Sequence, residues 1–256
     1  MKIYELSFQK NIRDLGGLKG HNGKTIKYNR IFRGGALHTV NKDDIEVIKS
    51  FHLTDMIDFR GEKEFVHKGD VKIEGINYIN LPTIEEKIKQ EDIHNEDGNL
   101  LWFVNENDSG FEHIKKQYID FVVSKKSQEA YRRFFEILMQ DNKVIYFHCS
   151  QGKDRAGLAA FYIEIALGVS MLDAMNDYLL SNVAMDKKID GLVKSVQNKP
   201  FYNKRYHQSL LDVFAAKKEY LQASIDTINE NYGSVLNYLQ TVLNVNLDRM
   251  RELYLE

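Results

Sequence analysis

The spacing of apolar positions predicts helix, strand and helix again in the middle of the chain. Residues 111 to 140 carry two helically spaced apolar groups, Tyr118, Phe121 and Val122, then Phe134, Ile137 and Leu138. The run KVIYF that follows is short and almost wholly apolar, which is typical of a buried strand. Apolar residues recur every three or four positions in RAGLAAFYIEIALG, so a second helical region is expected to end at Gly168.

The flanking segments add strands before this unit and helices after it. Asn22 and Gly23 form a hairpin signal, NKDDIEVIKSF predicts a helix capped by Asn41, and HLTDMIDFR predicts a short strand. Residues 83 to 110 are polar and are expected to form a loop, not a domain boundary. Leu236, Leu239, Leu243, Leu247 and Met250 continue the helical spacing. The prediction is an α/β domain with a mostly helical second half.

Composition narrows the classes of function. A net charge of −2 over 256 residues gives no basic bias of the kind that nucleic-acid binding needs. A single cysteine excludes an internal disulfide framework, and the charged first ten residues lack the apolar core of a secretory signal. No apolar run approaches the length of a membrane span, so membrane contact is expected to be peripheral at most. We expect a cytoplasmic protein, although leaderless export would leave no readable signal.

The single cysteine lies in HCSQGKDRAG, where the predicted strand passes into the predicted helix. Such a loop gathers unpaired amides at the positive end of a helix dipole and therefore suits a phosphate. Arg155 adds a planar guanidinium that can hold two phosphate oxygens, and Lys153 adds a point charge. The same field favours the thiolate of Cys149. With five residues between Cys149 and Arg155, the spacing indicates cysteine-dependent hydrolysis of phosphate monoesters.

Three other interpretations of the loop fit less well. A nucleotide-binding loop of the Walker type needs GxxxxGK, but the residue five places before Gly152 is Phe147. A zinc site needs further ligands near His148 and Cys149, and the sequence has none at ligand spacing. A buried structural cysteine is the ordinary fate of a lone Cys, but it does not account for the glycine, lysine and arginine beside it.

The loop resembles the HCxxGKDR[ST]G signature of bacterial protein-tyrosine phosphatase family 3, whose members are tyrosine and dual-specificity phosphatases that also act on phosphoinositides. The segments NIRDLGG, RIFRGGALH, MIDFRGEKE, ALGVSMLDAMNDYLLSN and NYGSVLNYLQ are also similar to family segments, in family order. The resemblance covers residues 11 to 255 and is weakest over 84–117 and 186–215. It implies one cysteine-phosphatase domain over residues 1–256, with a mostly parallel central sheet flanked by helices and a helical lid near 186–215.

The resemblance also implies the roles of individual residues. Cys149 would attack phosphorus, Arg155 would hold the phosphoryl oxygens, and Asp154 would protonate the leaving group. The substrate-binding set would be Ser150, Gln151, Gly152, Lys153 and Ala156. From its position in the loop, four residues after Cys149, we also expect the charge of Lys153 to favour substrates that carry a second phosphate. No metal or cofactor is expected.

Several residues leave alternatives open. Asp58 is the reserve acid, but a salt bridge to Arg60 is an equal interpretation. His148 is expected to orient the loop. Ala156 departs from the family pattern, which has Ser or Thr there, so we expect slow hydrolysis of the phosphoenzyme. Two further sets are expected to have structural or solvated roles: Asn11, Arg13 and Asp14, and Lys187, Lys188, Lys194, Lys199, Lys204 and Arg205.

The expected substrates are phosphotyrosine proteins, with phosphoserine or phosphothreonine proteins and phosphoinositides as further candidates. Two rival functions remain at this point. One is a phosphate-binding pseudophosphatase, against which the intact Cys149 and Arg155 argue. The other is a rhodanese-like sulfurtransferase, which also uses a loop cysteine but does not account for the GKDR ending.

Overall fold

The computed structural model describes residues 2–7, 11–84, 109–200 and 202–256. Within these residues the strands form one mixed sheet in the order β1-β2-β3-β6-β4-β5. The strands are β1 (Lys2–Tyr4), β2 (Ile12–Asp14), β3 (Ile31–Gly35), β4 (Asp55–Asp58), β5 (Asn77–Asn80) and β6 (Ile145–Cys149). Strands β3, β6, β4 and β5 are parallel, and β1 and β2 pair antiparallel at one edge.

Helices cover both faces of the sheet and form most of the second half. They are α1 (Lys42–Lys49), α2 (Glu62–His67), α3 (Gly110–Val123), α4 (Lys125–Leu138), α5 (Arg155–Ala166), α6 (Met171–Leu179), α7 (Ser181–Val196), α8 (Lys204–Phe214), α9 (Lys218–Tyr232), α10 (Val235–Thr241) and α11 (Leu247–Tyr254). Many begin after a side chain that accepts a hydrogen bond from an amide of the first turn, as at Asn41, Ser109, Ser124, Ser170, Asn203, Ser234 and Asn246.

Alternate side chains of β6 belong to two different apolar clusters, one on each face of the sheet. Ile145, Phe147 and Cys149 belong to the larger apolar cluster, which includes residues of α3, α4 and α5. Tyr146 belongs to the smaller cluster on the other face, with Phe32 among its members. Successive side chains of a strand point to opposite faces, so Cys149 faces the larger helical layer and His148 faces away from it.

Helix α5 is the buried centre of the helical layer. Every residue from Ala156 to Ala166 is buried, which is why the segment lacks the polar stripe of a surface helix. Burial on all sides fixes the direction of the helix, and its first residue, Arg155, follows directly on the loop that ends β6. The loop is therefore held between two of the most constrained elements of the protein.

The mostly parallel α/β sheet flanked by helices, the cap at Asn41 and the strand before His148 are confirmed. Asn22 and Gly23 have φ of 56° and 75°, and the Lys24 amide donates to the carbonyl of His21 across them, so the predicted hairpin turn is confirmed. The paired segments beside it are short, with one antiparallel bridge from Lys19 to Thr25. Most of the polar stretch predicted as a loop, residues 85–108, lies outside the described residues.

The C-terminal pattern of leucines is not one helix. It is interrupted between α10 and α11, where Asn244 has a φ of 56° and Leu243 and Val245 are buried in the core. Core packing therefore overrides the helical spacing at this point. Among the helices of the described residues, none has the length and apolar character required to cross a membrane.

Candidate active site

Residues 149 to 155 form the loop between β6 and α5 at the carboxyl edge of the parallel strands. Cys149 is 2% exposed at the end of β6, opposite Gly35 of β3. Among the described residues, the amides of residues 150 to 155 donate no hydrogen bond to a protein acceptor. Asp154 occupies the N-cap of α5 without using its side chain as a cap. Unpaired amides at a helix N-terminus are an anion-binding arrangement.

Gly152 brings the loop into direct contact with β3. Its φ is +71°, and a Cβ atom there would lie 2.2 Å from the carbonyl carbon and oxygen of Gly34. Real Cβ contacts essentially never fall below 3.0 Å, and this φ disfavours every residue except glycine. Backbone packing therefore requires glycine at position 152 of the loop.

Side chains of β3 and of the residue before β2 hold the loop by donating hydrogen bonds to its carbonyl groups. The Asn11 side chain donates to the carbonyl of Gln151 at 2.9 Å, and Arg33 donates to the carbonyl of Gly152 at 2.9 Å. Arg33 also pairs with Asp177 at 2.5 Å. These carbonyl contacts direct the loop peptides so that the opposite edge of each is free for a ligand.

Arg13 and Asp14 have structural positions, as the sequence predicted. Arg13 pairs with Asp177 at 2.7 Å, and Asp14 accepts amide hydrogen bonds from Gly16 and Asn29. Burial raises the pKa of Asp177, but the charges of Arg13 and Arg33 outweigh it and lower that pKa. The paired Asp177 is therefore the ionised anchor of both arginines.

Asp154 is held at the loop by two neighbours. Tyr118 of α3 donates its hydroxyl to the carboxylate at 2.9 Å, and the hydroxyl of Tyr178 lies 2.8 Å from that of Tyr118. The ammonium of Lys153 lies 3.2 Å from the same carboxylate. The Asp154 side chain remains 24% exposed, so solvent can reach its carboxylate.

Lys153 does not point where the sequence suggested. Its side chain is 1% exposed, and its ammonium donates to the carbonyls of Val213 at 2.6 Å and Ala215 at 3.1 Å, at the end of α8. With Asp154, these groups supply acceptors for all three ammonium protons. The residue ties the loop to α8, so its ammonium is already bound by groups of the protein where a contact with a second substrate phosphate was expected.

Arg155 is bound by an acidic residue that the sequence did not single out. Glu64 of α2 accepts from Nη1 of Arg155 at 2.6 Å and from Nη2 at 3.1 Å, and it also accepts from the hydroxyl of Ser150. Burial lowers the pKa of Arg155, but the charges of Cys149 and Glu64 outweigh burial and raise it. The guanidinium thus stays charged in its partly buried position.

The side chains of two other predicted substrate-binding residues, Gln151 and Ala156, make no hydrogen bond at the loop among the described residues. Gln151 supplies the carbonyl that Asn11 binds, and its own side-chain oxygen is buried and has no hydrogen-bond partner within the described residues. Ala156 is fully buried in the larger core cluster and offers no polar side-chain group. The six basic residues of α7, α8 and the segment between them are exposed, as expected for solvated positions.

Asp58 and His148 lie on the opposite face of the sheet from Cys149. Asp58 accepts from Nε of Arg60 at 2.9 Å and Nη2 at 2.8 Å, so the salt-bridge interpretation describes its position. Asp70 also pairs with Arg60, at 2.6 Å. His148 lies 3.4 Å from Asp70, and these groups line a cavity of about 90 Å³. Arg60 already supplies the positive charge that a metal ion would bring between these carboxylates.

Two curated proteins are similar over nearly the whole chain. A protein of Cupriavidus necator, provisionally named a tyrosine-protein phosphatase, is 29% identical over 263 residues, covering 98% of this chain and 89% of its own length. The triple specificity protein phosphatase PtpB of Mycobacterium tuberculosis is 24% identical over 281 residues, covering 98% of each chain.

Among solved structures, the core catalytic domain of the PP-IP phosphatase SIW14 from S. cerevisiae shows 13% identity and a TM-score of 0.34, covering 66% of this chain and 90% of that one. The TpbA protein of P. aeruginosa shows 16% identity and a TM-score of 0.31, covering 68% and 90%. Such scores are too low to support inference.

A family model describes the chain almost from end to end. The model of the tyrosine phosphatase family matches residues 4–256, which include the loop, its supporting arginines and Glu64. The match confirms the resemblance drawn from HCSQGKDRAG and from the segments around it. The chain belongs to the tyrosine phosphatase family.

Proposed function

We propose that the protein hydrolyses phosphate monoesters through a phosphocysteine intermediate, with Cys149 as nucleophile, Arg155 as phosphoryl-binding residue and Asp154 as general acid. The observation that carries the proposal is the loop itself. A buried cysteine lies at its start and a guanidinium at its end, and the six amides of residues 150 to 155 have no acceptor in the part of the chain that the structure describes. This arrangement matches a tetrahedral dianion held above a sulfur atom.

The first step breaks the ester bond. The Cys149 thiolate attacks phosphorus, the S–P bond forms, and the P–O bond to the leaving group breaks. Asp154 donates its proton to the departing oxygen, so that a neutral alcohol or phenol leaves. The loop amides and Arg155 stabilise the charge on the equatorial oxygens, which is greatest in the transition state.

The second step restores the enzyme. Asp154, now ionised, accepts a proton from a water molecule that attacks phosphorus, the S–P bond breaks, and inorganic phosphate leaves with Cys149 again a thiolate. No metal or cofactor enters either step. The ammonium of Lys153 and the hydroxyl of Tyr118 hold the Asp154 side chain at the loop.

We infer that phosphotyrosine proteins are substrates and that phosphoserine, phosphothreonine and phosphoinositide substrates belong in the same test. Family membership supports the first class, and the name of the M. tuberculosis relative, triple specificity, supports the wider panel.

The test is phosphate release from a phosphotyrosine peptide, a phosphoserine peptide and phosphoinositide vesicles. Cys149→Ser should reduce turnover to below a few per cent of the parent, because a serine hydroxyl is not ionised at neutral pH. It should still bind inorganic phosphate, because the amides and Arg155 are unchanged. Larger residual turnover would disprove the role of Cys149. Phosphate binding without any turnover by the parent would favour a pseudophosphatase, and thiocyanate formation would favour a sulfurtransferase.

We further propose that α7 and α8 serve as the lid expected over residues 186–215 of a single phosphatase domain. The link between Lys153 and the end of α8 supports this assignment, because it joins the loop to that pair of helices.

A further inference from the structure

The two oxygens of the Asp154 carboxyl group have different surroundings. Oδ1 accepts the hydrogen bond of the Tyr118 hydroxyl at 2.9 Å, and the ammonium of Lys153 lies 3.2 Å from the same oxygen. Among the described residues, no side chain or amide donates a hydrogen bond to Oδ2. The contacts therefore occupy one oxygen of the carboxyl group and leave the other open to a proton.

Two tyrosines form a chain of hydrogen bonds that ends at Oδ1. The Tyr118 hydroxyl has a single proton, which it donates to Asp154. Its oxygen lies 2.8 Å from the hydroxyl of Tyr178, so in that contact Tyr178 donates and Tyr118 accepts. Burial raises the pKa of Tyr118 well above its ordinary value, and the charge of Asp154 raises it further. The Tyr118 hydroxyl therefore keeps its proton at neutral pH, and Tyr178 polarises it as a donor.

Packing fixes the position of this hydroxyl. Tyr118 of α3 and Tyr178 of α6 are fully buried in the larger apolar cluster. Their rings meet edge to face with centroids 6.1 Å apart, and the Tyr118 ring also packs against Phe121 and Tyr220. Close-packed interiors leave a ring in this position little freedom to change rotamer. The donor at Oδ1 is therefore held in place by the core and not by the loop.

The ammonium of Lys153 acts differently on the same oxygen. It also donates to the carbonyls of Val213 and Ala215, which tie the loop to the end of α8. An ammonium is a point charge with rotatable donors, whereas a hydroxyl on a fixed ring gives a hydrogen bond of defined direction. The orientation of the Asp154 carboxyl group therefore depends on Tyr118.

We propose that Tyr118 is the positioning residue of the general acid. Its hydroxyl holds Oδ1 of Asp154, so that Oδ2 carries the proton. That proton passes to the departing oxygen of the substrate as the P–O bond breaks, and Asp154 is left ionised. The inference rests on the proposed phosphatase function and adds a residue to it. Tyr118 acts through Asp154 and does not touch the reacting atoms.

The basicity of the leaving group distinguishes this role from a structural one. Tyrosine leaves as a phenolate whose conjugate acid has a pKa of about 10, so its departure needs a proton. Nitrophenolate is a much weaker base and leaves without one. Loss of the Tyr118 hydroxyl should therefore slow the hydrolysis of phosphotyrosine more than that of nitrophenyl phosphate. A general loss of stability or of phosphate binding would slow both alike.

The test measures kcat/KM for a phosphotyrosine peptide and for nitrophenyl phosphate, and the affinity for inorganic phosphate by calorimetry. The variant is Tyr118→Phe, which removes the hydroxyl and keeps the ring. We expect kcat/KM for the peptide to fall about tenfold, which is part of the roughly hundredfold to ten-thousandfold that general acid catalysis contributes. Activity on nitrophenyl phosphate and phosphate affinity should stay within about twofold of the parent.

The matched control is Tyr254→Phe. Tyr254 is equally buried, and its hydroxyl donates to the carbonyl of Leu138 at 2.7 Å, at the end of α4. Its loss removes a buried hydrogen bond of a tyrosine that does not contact Asp154. Tyr254→Phe should lower the melting temperature and leave the ratio of the two kcat/KM values unchanged.

A double-mutant cycle tests whether Tyr118 acts through Asp154. In an Asp154→Asn background the acid is already missing, so Tyr118→Phe should lower kcat/KM for the peptide by less than about twofold. Multiplicative losses would overturn the inference. An equal loss on both substrates for Tyr118→Phe alone would overturn it too, as would full activity of that variant on the peptide.

The outcomes separate this inference from the proposed function. If the parent hydrolyses neither ester, the proposed function fails and the inference fails with it. If Asp154→Asn loses activity selectively on the peptide but Tyr118→Phe does not, the inference alone fails. If Tyr118→Phe does not fold, Tyr178→Phe takes its place, because it removes the donor to Tyr118. It should then give a smaller loss that is again selective for the peptide, and an unselective loss would overturn the inference.

Discussion

Gly152→Ala tests whether the close approach of the loop to β3 is required for activity. The substituted Cβ would lie 2.2 Å from both the carbonyl carbon and oxygen of Gly34 and 2.7 Å from the amide nitrogen of Gly35, all of them backbone atoms that no rotamer change can move. Opening the contact to an allowed distance displaces the loop by roughly 1 Å, and such a displacement of catalytic groups costs about a hundredfold in rate. We therefore expect kcat/KM to fall by about a hundredfold or more.

The matched control is Gly233→Ala. Gly233 has a φ of +80°, close to that of Gly152, but a Cβ there meets no atom of the described residues within 4 Å. Both variants incur the conformational penalty of a positive φ, roughly 1–2 kcal/mol, or about 2–8 °C in melting temperature for a chain of this size. Only Gly152→Ala adds the clash. Phosphate release, phosphate calorimetry and thermal melting should be measured on both. Equal kcat/KM in the two variants would refute the reasoning.

Two further predictions concern buried charges, one in the loop and one in α5. Lys153→Ala should lower turnover of phosphotyrosine peptide and phosphoinositide by the same factor and reduce the melting temperature, because two carbonyls at the end of α8 lose their donor; a selective loss on the lipid would show that the ammonium reaches substrate. Glu164→Gln should raise the melting temperature at pH 8 by at least about 2 °C, the shift for about 1 kcal/mol, with the gain vanishing near pH 4. Burial raises the pKa of Glu164, and the charge of Asp177 raises it further, so the parent loses stability as pH rises above the ordinary glutamate value. Melting curves of the parent and of Glu164→Gln between pH 4 and pH 8 test this prediction. A difference in melting temperature that stays constant with pH would contradict it.

Local sequence was sufficient for the central unit of the site. The run before His148, the glycine of GKDR and the apolar spacing after Arg155 specify strand, loop and buried helix within about 25 consecutive residues. Cys149 and Arg155 then fall at the two ends of the loop because the chain connects them directly. Their placement required no knowledge of tertiary packing.

The residues that surround the loop could not be found in this way. Glu64 lies 91 positions before Arg155, and nothing in FRGEKE says which cation it meets. Its one readable signal is its place shortly after a strand that ends at the catalytic edge of the sheet. Lys153 was identified by charge, but the direction of its side chain depends on carbonyls 60 and 62 positions later. Side-chain direction is a property of the packed structure, which spacing alone does not contain.

The origin of the loop's supports has a consequence for the order of folding. Gln151 is held by Asn11 from 140 positions away, Gly152 by Arg33 from 119, and Lys153 by the end of α8 from 60. Contacts between residues so far apart in sequence form late, because closing the long intervening segment costs conformational entropy before the contact can stabilise the chain. During synthesis, a chain that has not reached α8 already carries Cys149 and Arg155 but lacks the carbonyls that hold Lys153. On refolding, phosphatase activity should therefore return only when the distant segments have docked. Its recovery should lag behind the return of the helical circular-dichroism signal.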